Sequence, residues 1–323
     1  MQAILAVTVP FFALVLAGYL AGRRHVLPES AIPGLNAFVL YFALPCLLFR
    51  FGMGTPVLEL LNPAVLATWL LAAALIVFFT IALSLNSRVQ LKDAAFGALV
   101  ASFPNTGFMG VPLLVALLGQ AAAGPVICIV VADLFVTSSA CIAIAMAHEA
   151  SGHGSRTAAL RALRGALSNP LPWSVFAGAA FSAAGISRLP GPLDAIVRML
   201  ADASTPVALF TIGTVLWRAG QHAHTRTPLP DYLPVALVKN LLHPLLVLAL
   251  GSALRALGAP LSGFQLTALV LAAGLPSASN VSLLAERYGA DNGRIARIVM
   301  SSTALAFVSF SLLAWAFGAQ PKT

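Results

Sequence analysis

The sequence predicts an all-α polytopic membrane protein, with ten transmembrane helices in two repeats of five. Three observations lead there. Of 323 residues, 59% are hydrophobic and only 9% are charged, and mean hydropathy is +0.93, which exceeds what a soluble domain of this size needs for its core. The apolar residues gather in runs of about twenty, the length that crosses a bilayer at a rise of about 1.5 Å per residue. Two of those runs are broken in the middle by Pro, Gly, Asn and Ser, at corresponding places of the two halves. The net charge of +8 does not point to nucleic acid, because the basic residues lie singly in short loops between apolar runs.

The runs read, in order, 2–21, 35–53, 63–85, 94–118, 125–147, 170–187, 193–217, 231–256, 263–286 and 292–317. Span one is not a cleaved signal, since it lacks a basic leader and Arg23 and Arg24 follow the apolar run. Its Gly18 and Gly22 form a GxxxG that suits close helix packing, and a homodimer through span one, span two or span seven is expected to use them. Spans five and eight each carry an ionisable residue, Asp133 and Lys239. Residues 148–169 form the longest polar connector and divide the chain into a first repeat, 1–147, and a second, 170–323.

The break in span four lies in Phe103–Leu114, FPNTGFMGVPLL. Pro104 removes a backbone donor and clashes with the carbonyl four residues back, and Gly107 and Gly110 release the backbone further. Broken backbone at membrane depth persists only where it is buried in protein or lines a wet cavity. A kinked packing helix is the plainer alternative. The stretch Ala268–Gly289, ALVLAAGLPSASNVSLLAERYG, opens and closes like Ala98–Gly119 and carries Pro276 at its own interruption. Paired interruptions of this kind point to a transporter site.

Further matches support a repeat: FALPCLLF (Phe42–Phe49) in span two parallels ASTPVALF (Ala203–Phe210) in span seven. Five spans is an odd number, so the second repeat must run inverted. Lys and Arg orient the chain. With the N-terminus outside, inner loops carry Arg23, Arg24, Arg88, Lys92, Arg156, Arg161, Arg164, Arg218, Arg226, Arg287, Arg294 and Arg297, against Arg50, Arg188, Arg198, Arg255 and Lys322 outside. The connector is then cytoplasmic and both termini face out, into the periplasm of a bacterium.

Other chemistry finds little footing. His148, Glu149 and His153 sit in HEASGH, one residue too long for the zinc motif, and no G-x-S-x-G elbow occurs. Only Asp133 could serve an intramembrane aspartyl protease, so an enzyme is the weaker reading and an anion channel the stronger rival. No cofactor or metal is expected. His25, His222 and His224 read as solvated loop residues, and Cys46, Cys128 and Cys141 as buried inert thiols. Trp173, Trp217 and Trp315, near span ends, read as interfacial anchors.

FALPCLLF, FPNTGFMGVPLL, KNLLHPLL in span eight and LPSASNVSLLAERYGAD in span nine together resemble the auxin efflux carrier family, which holds plant PIN proteins and bacterial malate and malonate permeases. The resemblance implies a fold like that of bile-acid symporters and sodium/proton antiporters. Spans four and nine would cross at their breaks in a transport domain of spans 3–5 and 8–10. Spans 1, 2, 6 and 7 would form a scaffold, often dimeric, in an elevator mechanism. It implies transport of small organic anions across the inner membrane. The chain departs from plant members in lacking a long hydrophilic central loop and in having no acidic residue in span three.

On this reading Asn105, Thr106, Ser277, Ser279 and Asn280 contact the anion, because amides and hydroxyls offer donors to a carboxylate without a buried countercharge. Half-helix N-termini add positive potential. The alternative is that these groups only cap the broken ends. Antiporter-type folds place an acid in span five near a base in span eight, so Asp133 and Lys239 should meet as a coupling element, with His243 one turn along. A permanent salt bridge, or Lys239 facing the anion, are the other readings.

Overall fold

The computed structural model describes residues 1–55, 62–147, 167–186, 188–221 and 227–319. The zinc-like His148, Glu149 and His153, the loop residues His222 and His224, the loop cations Arg156, Arg161, Arg164, Arg226 and Lys322, and nearly all of connector 148–169 lie outside the described residues.

Among the described residues the chain is helical. The helices are α1 (Gln2–Arg23), α2 (Ala31–Gly54), α3 (Pro63–Ser84), α4 (Leu91–Ser102), α5 (Thr106–Leu118), α6 (Gln120–Met146), α7 (Pro170–Ala183), α8 (Gly191–Gln221), α9 (Leu229–Ala256), α10 (Gly263–Ala273), α11 (Asn280–Arg287) and α12 (Asn292–Ala316). Seven of these, α1, α2, α3, α6, α8, α9 and α12, are long and apolar enough to cross a membrane. The other three expected spans are helical but depart from one long rod. The sixth is the 14-residue α7, and the fourth and ninth are divided into α4 and α5 and into α10 and α11.

Local chemistry sets the helix starts. Asn62 caps α3 by accepting from the backbone N–H of Ala64 at 2.9 Å and of Val65 at 3.2 Å, with Pro63 at a position that needs no donor. Ser262 and Gln265 form a reciprocal capping box on α10. Four helices contain a π turn: 39–43 in α2, 106–110 in α5, 133–137 in α6 and 238–242 in α9. Three of them end two residues before a proline, Pro45, Pro112 and Pro244. Each proline offers no N–H and pushes away the carbonyl four residues back, that of Tyr41, Phe108 or Asn240, and the wider turn absorbs the mismatch.

Two glycine seams join the halves. A Cβ on Gly18 of α1 would stand 1.9 Å from the Phe210 carbonyl oxygen of α8, and one on Gly213 would stand 1.9 Å from that of Val15. In the second seam a Cβ on Gly178 of α7 would stand 2.2 Å from the Phe49 carbonyl oxygen of α2, and one on Gly52 2.6 Å from that of Val175. The small residues let these backbones touch. Gly22 likewise lies under the Trp217 ring, 2.7 Å from a built Cβ. This corrects the assignment of Gly18 and Gly22 to a dimer contact: both are used within one chain. It also corrects Trp217, which is 5% exposed, whereas Trp173 and Trp315 are 52% and 57% exposed. Cys128 and Cys141 are buried and Cys46 is half-buried, and none is in a disulfide.

Arg294, expected in an inner loop, is instead buried in the first turn of α12. Its guanidinium donates to the Asp231 carbonyl (2.7 Å), the Asp93 carbonyl (2.8 Å) and the Ser84 hydroxyl (3.1 Å). One side chain thus ties together the ends of α3, α4, α9 and α12. A Cβ on Gly97 would meet it at 2.7 Å, so that glycine leaves its space open.

Candidate functional site

The two interruptions meet. The Asn105 N–H donates to the Pro276 carbonyl at 2.8 Å, and the Ala278 N–H donates to the Phe103 carbonyl at 3.0 Å. These bonds form an isolated antiparallel bridge between Pro104 and Ser277. Backbone groups that the prolines and glycines take out of the helices are thereby satisfied by the opposite break, as burial demands. Gly110 permits the approach, since a Cβ there would stand 2.6 Å from the Leu275 side chain. Gly107 is not needed for clearance, because its nearest neighbour is Leu44 of α2 at 3.9 Å.

Each break is held differently. At the first, the Asn105 carbonyl accepts from the N–H of Met109 (3.1 Å) and of Gly110 (2.9 Å), so the chain turns on its own backbone into α5. At the second, side chains from α9 and α12 do the holding. The Lys239 ammonium donates to the carbonyl of Ala273, the last residue of α10, at 2.5 Å. A cation there also faces the negative end of a half-helix dipole. Asn240 Nδ2 donates to the Ser302 carbonyl (2.9 Å), and the Ser302 hydroxyl accepts from the Ser277 N–H (2.8 Å) and the Ser277 hydroxyl (3.1 Å).

The predicted anion contacts therefore sort into two groups. Asn105, Thr106, Ser277 and Ser279 are buried at the crossing, with Asn280 half-buried beside them. The Thr106 hydroxyl reaches only the Pro104 carbonyl, at 3.5 Å, and Asn280 Oδ1 is buried without a hydrogen-bond partner. The Ser277 hydroxyl hydrogen, by contrast, is committed to Ser302, which leaves that side chain no donor for an anion.

Asp133, Lys239 and His243 are all fully buried. Asp133 and Lys239 lie within electrostatic reach of each other, as do Lys239 and His243. The expected direct ion pair is absent among the described residues, because each group has found another partner. Lys239 is on the Ala273 carbonyl. Asp133 Oδ1 accepts from Trp69 Nε1 at 2.8 Å and from the Thr137 hydroxyl at 3.0 Å. Asp133 Oδ2 and both His243 nitrogens are buried without partners.

A cavity of about 250 Å3 lies between Asn36 and Tyr41 of α2, Arg218 of α8 and Ser282, Glu286 and Asn292 of α11 and α12. Arg218 is ion-paired with Glu29 at 3.1 Å. Among the described residues no cluster of His, Cys, Asp and Glu could hold a metal ion.

Sequence reasoning missed Trp69, Asn240 and Ser302. Asn240 adjoins Lys239 inside a span and carried the same signal of a costly buried polar group. Trp69 and Ser302 carried none, since a tryptophan in an apolar run reads as packing and a serine there as a satisfied helix residue.

A family model described as membrane transport protein matches residues 3–314. The chain is 34% identical over 316 residues to a protein of Rhizobium meliloti named putative malonate transporter, covering 94% of this chain and 93% of that one. It is 26% identical over 288 residues to the uncharacterized transporter YfdV of Escherichia coli K12, covering 86% of each. It is 25% identical over 301 residues to an uncharacterized transporter of Methanothermobacter thermautotrophicus, covering 93% of each.

Proposed function

We propose secondary transport of small organic anions, and the premise is membership: the chain belongs to the membrane transport protein family, the auxin efflux carriers. It is a multi-pass membrane protein of a transporter family. The observation that carries the finer reading is the hydrogen-bonded crossing of two helix breaks, with the polar side chains of Asn105, Thr106 and Asn280 gathered around it. The N-termini of α5 and α11 start at this crossing, so both half-helix dipoles present their positive ends to one place. A carboxylate fits such a site. Malonate is the first candidate, from the name of the Rhizobium relative.

Ten spans in an inverted repeat are supported by the glycine seams. Gly18 corresponds to Gly178, Val15 to Val175, Gly213 to Gly52 and Phe210 to Phe49, and in both the α1–α8 and the α7–α2 contact each glycine faces the carbonyl oxygen of the matching residue. In this architecture α1, α2, α7 and α8 are the scaffold. The remaining helices are the transport domain, which moves as an elevator past the cavity at Asn36 and Asn292. Asp133, Lys239 and His243 are its coupling element. A homodimer would form through scaffold faces other than those of Gly18 and Gly22, in a bacterial inner membrane with both termini periplasmic.

A cation- or proton-coupled antiporter and an anion channel are the alternatives. Purified protein in liposomes decides between them. Saturable malonate uptake with counter-transport, lost in Asn105→Ala and Asn280→Ala protein that still folds, supports the carrier. Uptake linear in concentration without exchange makes it a channel, and wild-type binding by both variants moves the site elsewhere.

A further inference from the structure

Trp69 has no role in the crossing itself, yet it joins the first half's acid to the second half's base-bearing turn. It is fully buried on α3. Its Nε1 donates to Asp133 Oδ1 at 2.8 Å, and its ring centroid lies 5.2 Å from that of His243, inclined at 46°. The two donors to Asp133, from Trp69 and from Thr137, fall on the same oxygen, and Oδ2 has none.

These donors are not equivalent. A hydroxyl can rotate and accept, but an indole N–H is a donor only. The Trp69 ring is held by its burial and by His243. A proton on Oδ1 would therefore confront a fixed N–H, while one on Oδ2 confronts nothing. The charged and titratable groups that act on or beside this carboxylate are Lys239 from α9, which His243 neighbours one turn on, and Cys141 on its own helix α6. From α3 comes only the indole.

We propose that Trp69 is a positioning residue of the coupling element, which reserves Asp133 Oδ1 as an acceptor and confines proton uptake to Oδ2. This rests on the reading of Asp133 and Lys239 as that element. The step is one proton transfer: an O–H bond forms at Asp133 Oδ2 as an O–H bond of a hydronium ion breaks, leaving a neutral carboxyl and a water molecule.

The test uses full-length protein in liposomes, with a pH titration of its infrared difference spectrum. The carboxylic C=O band of Asp133 is identified by its loss in Asp133→Asn. Trp69→Phe keeps a ring against His243 and removes the donor to the carboxylate. The midpoint of the band is expected to move up by about one pH unit, tenfold in proton concentration, since a donor to a charged group is worth at least that much. The midpoint of the malonate-uptake pH profile moves with it, and Trp69→Tyr, which keeps a donor, recovers part of the shift. A Trp69→Phe midpoint equal to wild type, in protein whose uptake profile is flattened by Asp133→Asn, overturns the role of Trp69 alone. An uptake profile indifferent to Asp133→Asn overturns the coupling reading, and the role with it. Should Trp69→Phe not fold, wild-type protein still decides by ultraviolet resonance Raman. The hydrogen-bonded indole population must stay constant as the carboxyl band grows in, and its fall on acidification refutes the proposal.

Discussion

The two helix breaks face each other across one pair of backbone hydrogen bonds but are stabilised by opposite means. The first turns on its own main chain: the Asn105 carbonyl takes the N–H groups of Met109 and Gly110. The second is held from outside, by Lys239 on the Ala273 carbonyl and by Ser302 on both donors of Ser277. A self-held break leaves its side chains unspent, and among the described residues the Asn105 amide has no hydrogen-bond partner. An externally held break spends its side chains on structure but couples its geometry to the helices that hold it. On the proposed reading the first break supplies most of the binding side chains and the second, through Ser277, responds to the helices that hold it. Lys239 is the point of contact, because the same ammonium feels Asp133 on α6 and caps α10.

Removing that contact should have the largest effect. Lys239→Met leaves Asp133 buried without an opposite charge and the Ala273 carbonyl without its donor. Leaving the buried Ala273 carbonyl without its donor costs about 1–3 kcal/mol, and the loss of the Lys239 charge that acts on Asp133 adds to it. We expect a large drop in thermal unfolding temperature in detergent and loss of transport. Asp133→Asn added to Lys239→Met should recover most of the stability and the malonate binding, but not the pH dependence of uptake. Recovery of an unchanged pH profile by the double variant would make the pair structural. A single Lys239→Met variant as stable as wild type would remove the contrast between the breaks.

Asn105→Ala comes next and separates binding from folding. The self-held break keeps its backbone bonds, so unfolding temperature should stay within a degree or so. Malonate affinity, measured on purified protein by calorimetry, should fall at least tenfold, which corresponds to about 1.4 kcal/mol. A loss of stability equal to the loss of affinity would mean that the amide caps the break rather than binds.

How far these features could be read beforehand depended on whether a residue's role was local. Pro104, Gly110 and Pro276 break helices by covalent geometry, so both breaks were legible. The π turns before Pro45, Pro112 and Pro244 follow the same rule, but an apolar run conceals them. Gly18 and Gly22 were rightly seen as a close-packing surface, but the partner helix, α8, lies almost two hundred residues on, and nothing in a GxxxG names its partner. Arg294 looked like a loop cation by position, and only the fold brings the Asp93 and Asp231 carbonyls around it. Asp133 and Lys239 were found by their cost of burial, whereas the groups that keep them apart, Trp69 and a backbone carbonyl, have no charge to betray them.

Ser302→Ala tests the external support directly. It leaves the Ser277 N–H and hydroxyl without acceptors in a buried place, a cost of about 1–3 kcal/mol. Unfolding temperature should fall by an intermediate amount. Malonate affinity should fall too, because the second break loses its register against the first. Affinity preserved at reduced stability would confine Ser302 to packing and leave the second break rigid without it.

Thr106→Val gives the smallest expected effect and the finest distinction between the breaks. The hydroxyl's one internal contact, 3.5 Å to the Pro104 carbonyl, is at the limit of a hydrogen bond, so its removal should cost little stability. Valine keeps the branched shape, which fits the fully buried position and preserves the π turn it opens. Burying a methyl in place of a hydroxyl that has no strong partner is close to neutral for the fold. If the hydroxyl instead donates to a bound carboxylate, the variant loses one hydrogen bond, about 1 kcal/mol or roughly fivefold in malonate affinity. Ser302→Ala should therefore lower stability first, and Thr106→Val affinity alone. A Thr106→Val variant that unfolds as early as Ser302→Ala would show that the first break, too, depends on its side chains, and the division between a binding break and a responding break would fall.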